Sequence, residues 1–273
     1  MITSKTANNE NGKDKISVSY ESYATSVRRN INVLDGPGFE NYMNQRVLNQ
    51  IFQEITDPSR TGGPFDGTQI INSDNYPEIV EYNLPYPVSS GVNTNWQDET
   101  YRLAMSNKYN LNYRGGDFKR NITMGLGINN QEGVIINSNN KTVNFNMNAK
   151  RKAFNEKIDV YSKTYFTHKK GNAASVGNGE IFQQRGVVSQ ALQFQPIFSL
   201  LEPGQDDDIY SALNEGNVIS NPYTLARYVM DIKESTSFRQ TLQLVGKITP
   251  KLTATLKASY NFQKSNRDNY YPL

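Results

Sequence analysis

The chain has 273 residues, a formal net charge of +3 and 36% hydrophobic residues. It contains no cysteine and one histidine, which excludes disulfides and thiolate metal sites and argues against zinc centres and histidine-based triads. So small a net charge does not point to nucleic acid. Mean hydropathy is −0.67, and no run of about 18 apolar residues marks a membrane helix. Transmembrane barrels escape that criterion, because their strands alternate lipid-facing and lumen-facing residues.

Alternating apolar and polar residues predict an antiparallel, all-β chain of about seven strands. After a first strand over Ile16–Val27, residues 30–106 form a long irregular region, within which helical spacing predicts a helix over Gly38–Ile55. A second long region covers residues 171–237 and ends in a candidate helix over residues 221–235. The remaining predicted strands are Lys108–Arg114, Asn121–Asn130, Thr142–Ala153, Ile158–Lys169, Arg239–Ile248 and Leu252–Ser265.

The strand Asn121–Asn130 shows the pattern most clearly. One side carries only apolar residues, Ile122, Met124, Leu126 and Ile128. The other side carries only small or polar ones, Thr123, Gly125, Gly127 and Asn129. Such a strand presents one apolar face, which requires a protein core, a second sheet or lipid.

The lengths of the connections favour lipid. Short turns are predicted between strands 2 and 3, 4 and 5, and 6 and 7, whereas longer loops join the other consecutive pairs. All short turns therefore lie at one end of the sheet and all longer loops at the other, as in outer-membrane barrels. The strands also have about the length that a tilted strand needs to cross a bilayer.

The side opposite the apolar stripe is polar in the later strands. Its members are Asn144, Asn146, Asn148, Lys150, Asp159, Lys163, Gln243 and Lys257. In a soluble sandwich these residues would face water, and alternation alone does not separate the two alternatives. The one-sided loops favour a membrane barrel in which this polar side faces a wet lumen.

Residues 95–133 carry an ordered set of short motifs. Trp96, Gln97, Asp98 and Glu99 precede a strand that ends in Gly115-Gly116, and the next strand closes on Gln131-Glu132-Gly133. This order resembles a signature of the SusC/RagA family of TonB-linked outer-membrane transporters. Asn95 stands where that family often has aspartate. The opening "MITSKT" is similar to the end of the family's plug, and "FENYMNQRVL" to a helix in its first long loop.

The resemblance implies that residues 1–12 are the C-terminal end of a plug and residues 13–273 the N-terminal part of a barrel. The expected fold is a partial transmembrane barrel, about seven strands of roughly 22, with short helices in long extracellular loops. Seven strands leave two unpaired edges, so we do not expect this piece to function alone.

The same resemblance implies a function without covalent chemistry. It predicts import of glycans or peptides across the outer membrane of a Bacteroidetes-type Gram-negative cell, with no cofactor. The implied partners are a SusD-like surface lipoprotein, TonB, outer-membrane lipid and the ligand. A secreted or surface β-sandwich acting as a binding module remains an alternative. A carbohydrate-active enzyme is disfavoured, since no carboxylate pair stands out on neighbouring strands.

Few residues suggest a catalytic or metal site. His168, at a predicted strand end, is interpreted as a rim or surface residue, and the glycines at 125 and 127 lie within a strand, which does not suit a phosphate loop. The acidic segment Gly204–Gly216 lacks the order of an EF-hand loop, which leaves a solvated loop as the default and a calcium site as an alternative. The loop aromatics either pack the loops together, which we favour, or stack on a sugar; they are Trp96, Tyr82, Tyr86, Phe194 and Phe198.

Overall fold

The computed structural model describes residues 14–56, 84–174, 186–200 and 221–270, which fall into two compact units. The first unit contains the described parts of residues 1–28, 101–175 and 226–273, and it holds all the strands. The second contains the described parts of residues 29–100 and 176–225. The predicted end of the plug (residues 1–12) lies outside the described residues. The acidic segment 204–216, for which a calcium site was an alternative, also lies outside them.

The first unit is one antiparallel sheet of seven strands in the order β1-β2-β3-β4-β5-β6-β7. Every strand pairs with the next one along the chain, and within the described residues β1 and β7 remain edges. The predicted seven-stranded meander is therefore confirmed. The strands are β1 Lys15–Thr25, β2 Ala104–Gly116, β3 Arg120–Glu132, β4 Asn139–Ala153, β5 Ile158–Ala173, β6 Met230–Thr249 and β7 Leu252–Tyr270.

Four helices are described outside the strands: α1 Gly36–Thr56, α2 Trp96–Thr100, α3 Val187–Gln193 and α4 Pro222–Tyr228. The predicted helix over Gly38–Ile55 corresponds to α1 and is confirmed. Among the described helices, none has both the length and the apolar composition needed to cross a membrane.

The candidate helix over residues 221–235 is wrong in its second half. The helix α4 ends at Tyr228, and β6 begins at Met230 instead of Arg239. Residues 231–238 pair with β5 on one side and with β7 on the other, so their backbone groups are bound within the sheet. Ladder hydrogen bonds on both sides outweigh a weak helical periodicity.

The connections have the predicted asymmetry. Residues 117–119, 154–157 and 250–251 form the turns at one end of the sheet. At the other end the connections are residues 26–103, 133–138 and 174–229. The strands β6 and β7, with 20 and 19 residues, are longer than the roughly 9–11 residues that a tilted strand needs to cross a bilayer.

The turn after β2 depends on a glycine. Gly116 has φ +101°, and a Cβ there would lie 2.1 Å from the carbonyl oxygen of Arg120. The Asp117 carboxylate then accepts hydrogen bonds from the N–H groups of Lys119 (2.8 Å) and Arg120 (2.9 Å), which lowers the pKa of Asp117. Lys119 in turn reaches Glu156 of the next turn, with 2.8 Å between Nζ and Oε1.

Fully buried large apolar side chains lie in the second unit, where Ile51, Trp96 and Val187 are 0–2% exposed. Glu40 of α1 is also buried there, at 5% exposed. Its carboxylate accepts hydrogen bonds from the Ser90 hydroxyl (2.5 Å), the Ser89 hydroxyl (2.7 Å) and the Ser90 N–H (2.7 Å). These bonds hold the segment at 89–90 against the start of α1.

The hydrogen bonds from Ser90 and Ser89 lower the pKa of Glu40 below its ordinary value of 4.5. A carboxylate with a lowered pKa stabilises the fold above its unfolded pKa, and this stabilisation is lost as pH falls through the folded pKa. We therefore expect the Ser90 N–H to be protected from hydrogen exchange at pH 7 and to lose protection below about pH 4.5. Glu40→Gln should remove this pH dependence. A matched Glu99→Gln variant should keep it, and an unchanged profile in Glu40→Gln would contradict the assignment.

Candidate functional site

The two faces of the sheet differ sharply in composition. Because directly opposite residues share a face, the strand registers define rows that cross the whole sheet. One such row is apolar in every strand: Val18, Leu111, Leu126, Phe145, Phe166, Phe238 and Phe262. We call the side that carries this row the apolar face, and the opposite side the polar face.

Within the described residues, no other part of the chain covers the apolar face. None of the seven residues in the row is buried, and Val18 and Leu126 are 75% and 38% exposed. The described residues contain no second sheet that could pack on this face. A contiguous apolar surface of this extent is typical of a membrane or partner surface.

Aromatic residues lie on the apolar face towards the end with the long connections. The rings of Tyr20 and Tyr109, which are directly opposite, have centroids 5.0 Å apart. The Tyr20 hydroxyl donates at 2.7 Å to Oδ1 of Asn107, which lies two residues before Tyr109 in β2. Tyrosine rings with their hydroxyls directed to polar groups are typical of a membrane–water interface.

The polar face contains all eight residues predicted to face the lumen. The registers place Asn144, Asn146, Asn148 and Lys150 of β4 on the same face as the four from later strands, Asp159, Lys163, Gln243 and Lys257. Hydrogen bonds link neighbouring strands across this face, for example Thr167 Oγ1 to Asn144 Oδ1 at 2.9 Å and Asn110 Nδ2 to Ser19 Oγ at 3.1 Å.

Gly125 gives neighbouring asparagines room on the polar face. A Cβ at Gly125 would lie 2.7 Å from Asn146 Nδ2 and 3.1 Å from Asn112 Oδ1. The space that a larger side chain at Gly125 would need is taken by the amide groups of the two adjacent strands.

Cations dominate the polar face. Its three acidic residues in the described strands are Glu21, Asp159 and Asp231. Against them stand twelve basic residues: Lys15, Lys108, Arg114, Lys150, Lys152, Lys163, Lys169, Lys233, Arg239, Lys247, Lys257 and Arg267. The chain as a whole has a net charge of only +3, so the fold concentrates positive charge on this face.

Each of the three acidic residues already has a basic neighbour. Lys108 lies 3.4 Å from Glu21, and Lys150 lies 3.8 Å from Asp159. Asp231 is bound by Arg267 through two hydrogen bonds of 2.7 and 2.8 Å, and Lys233 lies 3.6 Å away. The remaining positive charge is therefore not balanced within the described strands.

A concave cavity of about 720 Å³ lies in the first unit, at the end of the sheet with the long connections. Its wall includes Lys169, Lys233, Tyr23 and Gln131, together with serine hydroxyls and asparagine amides. Gln131 Nε2 donates to the Tyr23 hydroxyl at 3.1 Å, which links β1 and β3 within the wall. The cavity offers cationic groups and many hydrogen-bonding partners to a ligand.

Sequence reasoning did not name the basic residues of this cavity. Lys233 lies in the first half of β6, within the segment 221–235 that was predicted to be a helix. Lys169 ends the predicted fifth strand and has the same parity as Lys163, so continued alternation was the signal that could have found it.

A comparison of sequences and a comparison of structures each find similar proteins. No family model matches the chain. Over 171 residues the chain is 26% identical to TonB-dependent receptor P3 of Formosa agariphila, a match that takes in 59% of this chain and 16% of the receptor. The RagAB peptide importer in its closed-closed state superposes with a TM-score of 0.64 at 14% identity, covering 98% of this chain and 30% of that chain. Its open-open state superposes with a TM-score of 0.64 at 13% identity, covering 98% of this chain and 29% of that chain.

The chain is similar in sequence to a TonB-dependent receptor and in fold to the RagAB peptide importer, which agrees with the resemblance to the SusC/RagA family. It spans less than a third of the length of the proteins it matches. At 14% identity the structural likeness establishes the fold alone, namely a meander that matches part of a barrel transporter.

The SusC/RagA-type Trp-Gln-Asp motif organises the second unit. Trp96 Nε1 donates to the carbonyl of Gln195 at 2.9 Å. Gln97, 2% exposed, accepts from the N–H of Ile31 at 2.9 Å and donates to its carbonyl at 2.7 Å. Asp98 accepts from Asn30 Nδ2 at 2.6 Å. The motif thus joins three separate segments of the long connections.

The departure from the family pattern at position 95 is conservative in its physical effect. The Asn95 side-chain oxygen accepts from the N–H of Gln97 at 3.2 Å, and its carbonyl accepts from Asp98 and Glu99 at 3.0 and 3.2 Å. Asn95 therefore caps α2, and asparagine and aspartate are similarly good in that position.

The Gln-Glu-Gly part of the SusC/RagA-type signature closes the loop between β3 and β4. Arg102 donates through Nε to the carbonyl of Gly133 (3.1 Å) and through a terminal nitrogen to that of Ser138 (2.8 Å). The same guanidinium lies 3.8 Å from Glu132. These residues hold the loop and are not arranged as a catalytic site.

The other candidate residues are dispersed. His168 lies within β5 on the apolar face, with Nδ1 3.0 Å from Thr236 Oγ1, and not at a strand end as predicted.

Trp96 is 2% exposed and packs edge-on against Phe194 at 5.0 Å, while Phe194 lies 5.6 Å from Phe198. This arrangement agrees with loop packing for Trp96 and leaves its ring no open face for a sugar. Tyr82 lies outside the described residues, which contain no group of three or more potential metal ligands.

Proposed function

We propose that this chain forms part of a TonB-dependent outer-membrane importer of glycans or peptides. In this proposal residues 13–273 are the N-terminal part of the barrel and residues 1–12 the end of the plug. The apolar face contacts lipid and the polar face lines the lumen. The protein is not an enzyme; transport follows from movement of the plug when TonB pulls from the periplasm, with no covalent chemistry.

The observation that carries the proposal is the uninterrupted apolar row across all seven strands, exposed on one face of a sheet whose other face is charged. A soluble sandwich has to cover such a row with a second sheet. In a barrel wall the apolar row is open to lipid, and the opposite side contacts the water of the lumen. The similarity to TonB-dependent receptor P3 and to the RagAB peptide importer supports the same conclusion.

The proposed partners follow from those relatives and from the resemblance in sequence. We infer that a SusD-like surface lipoprotein works with the receptor on the extracellular side, where the long connections lie. TonB would act on a part of the receptor outside this chain. RagAB is a peptide importer, which supports a peptide ligand; the family resemblance also admits a glycan.

Energised uptake tests the proposal. The full-length receptor that carries this segment is expressed in a Bacteroidetes host that lacks its native copy, with and without TonB. Fluorescent peptides and oligosaccharides are supplied, and accumulation in the periplasm is measured. The proposal predicts accumulation of at least one probe only when both receptor and TonB are present. Accumulation that is independent of TonB, or of the receptor, would contradict it.

A further inference from the structure

The charge on the polar face has a consequence for the ligand. In a lumen bounded by a protein wall, charges interact more strongly than in bulk water, because the wall has a low dielectric constant. The excess of basic over acidic residues on this face must therefore be balanced by counter-charges from another molecule or segment. An anionic ligand and an acidic plug surface are the two ways to supply them.

The long-connection end of the face favours the ligand. Lys169 and Lys233 line the cavity there, and both are exposed. Asp231, the acidic residue nearest to Lys233, is already bound by Arg267 through two hydrogen bonds. Glu132 also lines the cavity, but it accepts from the N–H of Met105 at 3.0 Å and lies 3.8 Å from Arg102. The cavity wall thus keeps a cationic excess.

The rest of the cavity wall suits a hydroxylated or amide-bearing chain. Ser106, Ser235 and Ser265 provide hydroxyls, and Asn140 and Gln131 provide amides. Such groups orient a polar ligand by hydrogen bonds, while the lysines supply charge. By contrast, an all-neutral ligand would leave Lys169 without an ion pair within the described residues, and Lys233 with only Asp231, which Arg267 already binds.

We propose that the ligand which enters this lumen is a short polyanion, a chain with several carboxylate or sulfate groups recognised by Lys169 and Lys233. This inference rests on the proposed function, since it names the chemical class that the importer takes. Its source is either an acidic oligosaccharide or an acidic peptide, and both present the same charged groups.

Two matched pairs of probes distinguish the sources. Oligogalacturonate is compared with a neutral malto-oligosaccharide of equal length, and oligoglutamate with oligoglutamine. Binding to the purified full-length receptor is measured by fluorescence anisotropy at low and high salt. We expect the acidic member of at least one pair to bind about tenfold more tightly at low salt, with a difference that shrinks at high salt.

Adjacent lysines provide the control. Lys169 is on the polar face and Lys170 on the apolar face, so the same substitution removes charge from opposite sides of β5. The double variant Lys169→Gln/Lys233→Gln should weaken binding of the acidic probe about tenfold and leave the neutral probe unchanged. Lys170→Gln and Lys264→Gln should change neither.

Equal binding of the charged and neutral members in both pairs, including no binding of any probe, would overturn the inference. If the double variant Lys169→Gln/Lys233→Gln lowered the Tm without altering ligand preference, the inference would also be overturned. The two lysines would then pair with acidic groups of the plug and not with the ligand. TonB-driven uptake of neutral probes with no preference for anions would leave the proposed function intact. Loss of TonB-dependent uptake for every probe would contradict the proposed function itself.

Discussion

Leu126→Arg in the full-length receptor is expected to lower the free energy of unfolding by roughly 2–4 kcal/mol. Leu126 is at the centre of β3 and belongs to the apolar row, with an apolar residue directly opposite on either side. A guanidinium placed there must enter the hydrocarbon or bend towards the headgroups, and both are costly. The measurement is urea-dependent folding of the receptor in phospholipid vesicles.

The matched control is Asn112→Arg. Asn112 follows Leu111, the direct partner of Leu126, but it faces the other side of the sheet. A charge added there enters a hydrated and already charged environment, so we expect a much smaller loss of stability. Equal losses for the two variants, or no loss for Leu126→Arg, would contradict the assignment of the faces.

Trp96→Ala is expected to destabilise the second unit by about 3–5 kcal/mol. The indole is buried, packs edge-on against Phe194, and donates to the carbonyl of Gln195. Removing it leaves a cavity and an unpaired carbonyl between two segments that are distant in sequence. Hydrogen exchange of residues 94–100 and 190–198, compared with that of the strands, measures the effect.

Two further variants sharpen this test. Trp96→Phe keeps an aromatic ring but loses the indole N–H, so it should destabilise the unit less than alanine does. Phe52→Ala removes an aromatic side chain that is 62% exposed and should have little effect. If Trp96→Ala instead lowered ligand affinity while hydrogen exchange stayed unchanged, Trp96 would be a ligand-stacking residue and the packing assignment would be wrong.

The central strands were predictable because lipid and lumen impose opposite demands on neighbouring residues. In β3 the alternation of Ile122, Met124, Leu126 and Ile128 with small or polar residues continues through the strand, and the predicted and observed limits differ by only one or two residues. The turns also carried local signals, such as the glycines before Asp117.

The strand ends near the long connections were not predictable in the same way. At the start of β6 the residues on the apolar side include Glu234 and Thr236, and those on the polar side include Lys233 and Ser235. Because β6 is longer than a membrane-spanning strand needs to be, both of its sides are polar in this part and the alternation disappears. The same effect hid the extension of β7 beyond Ser265 and the cavity lysine Lys233.

Loop organisation also escaped the sequence pattern. The five-residue helix α2 is too short to show a helical period, and the bonds of Gln97 to Ile31 join residues that are far apart in sequence. The family resemblance marked these residues. Their contacts in the folded chain explain how the motif holds the long connections together.

The most direct test of the account is whether the apolar face of the sheet contacts lipid. The chain has no cysteine, so single cysteines can be placed in the full-length receptor and spin-labelled without background. Labels at positions 122, 124, 126 and 128 should be accessible to oxygen dissolved in the bilayer and shielded from a water-soluble nickel reagent. Labels at 123 and 129 should lack this lipid signature. Uniform accessibility along the strand, or exposure of position 126 to the nickel reagent, would contradict the barrel-wall assignment.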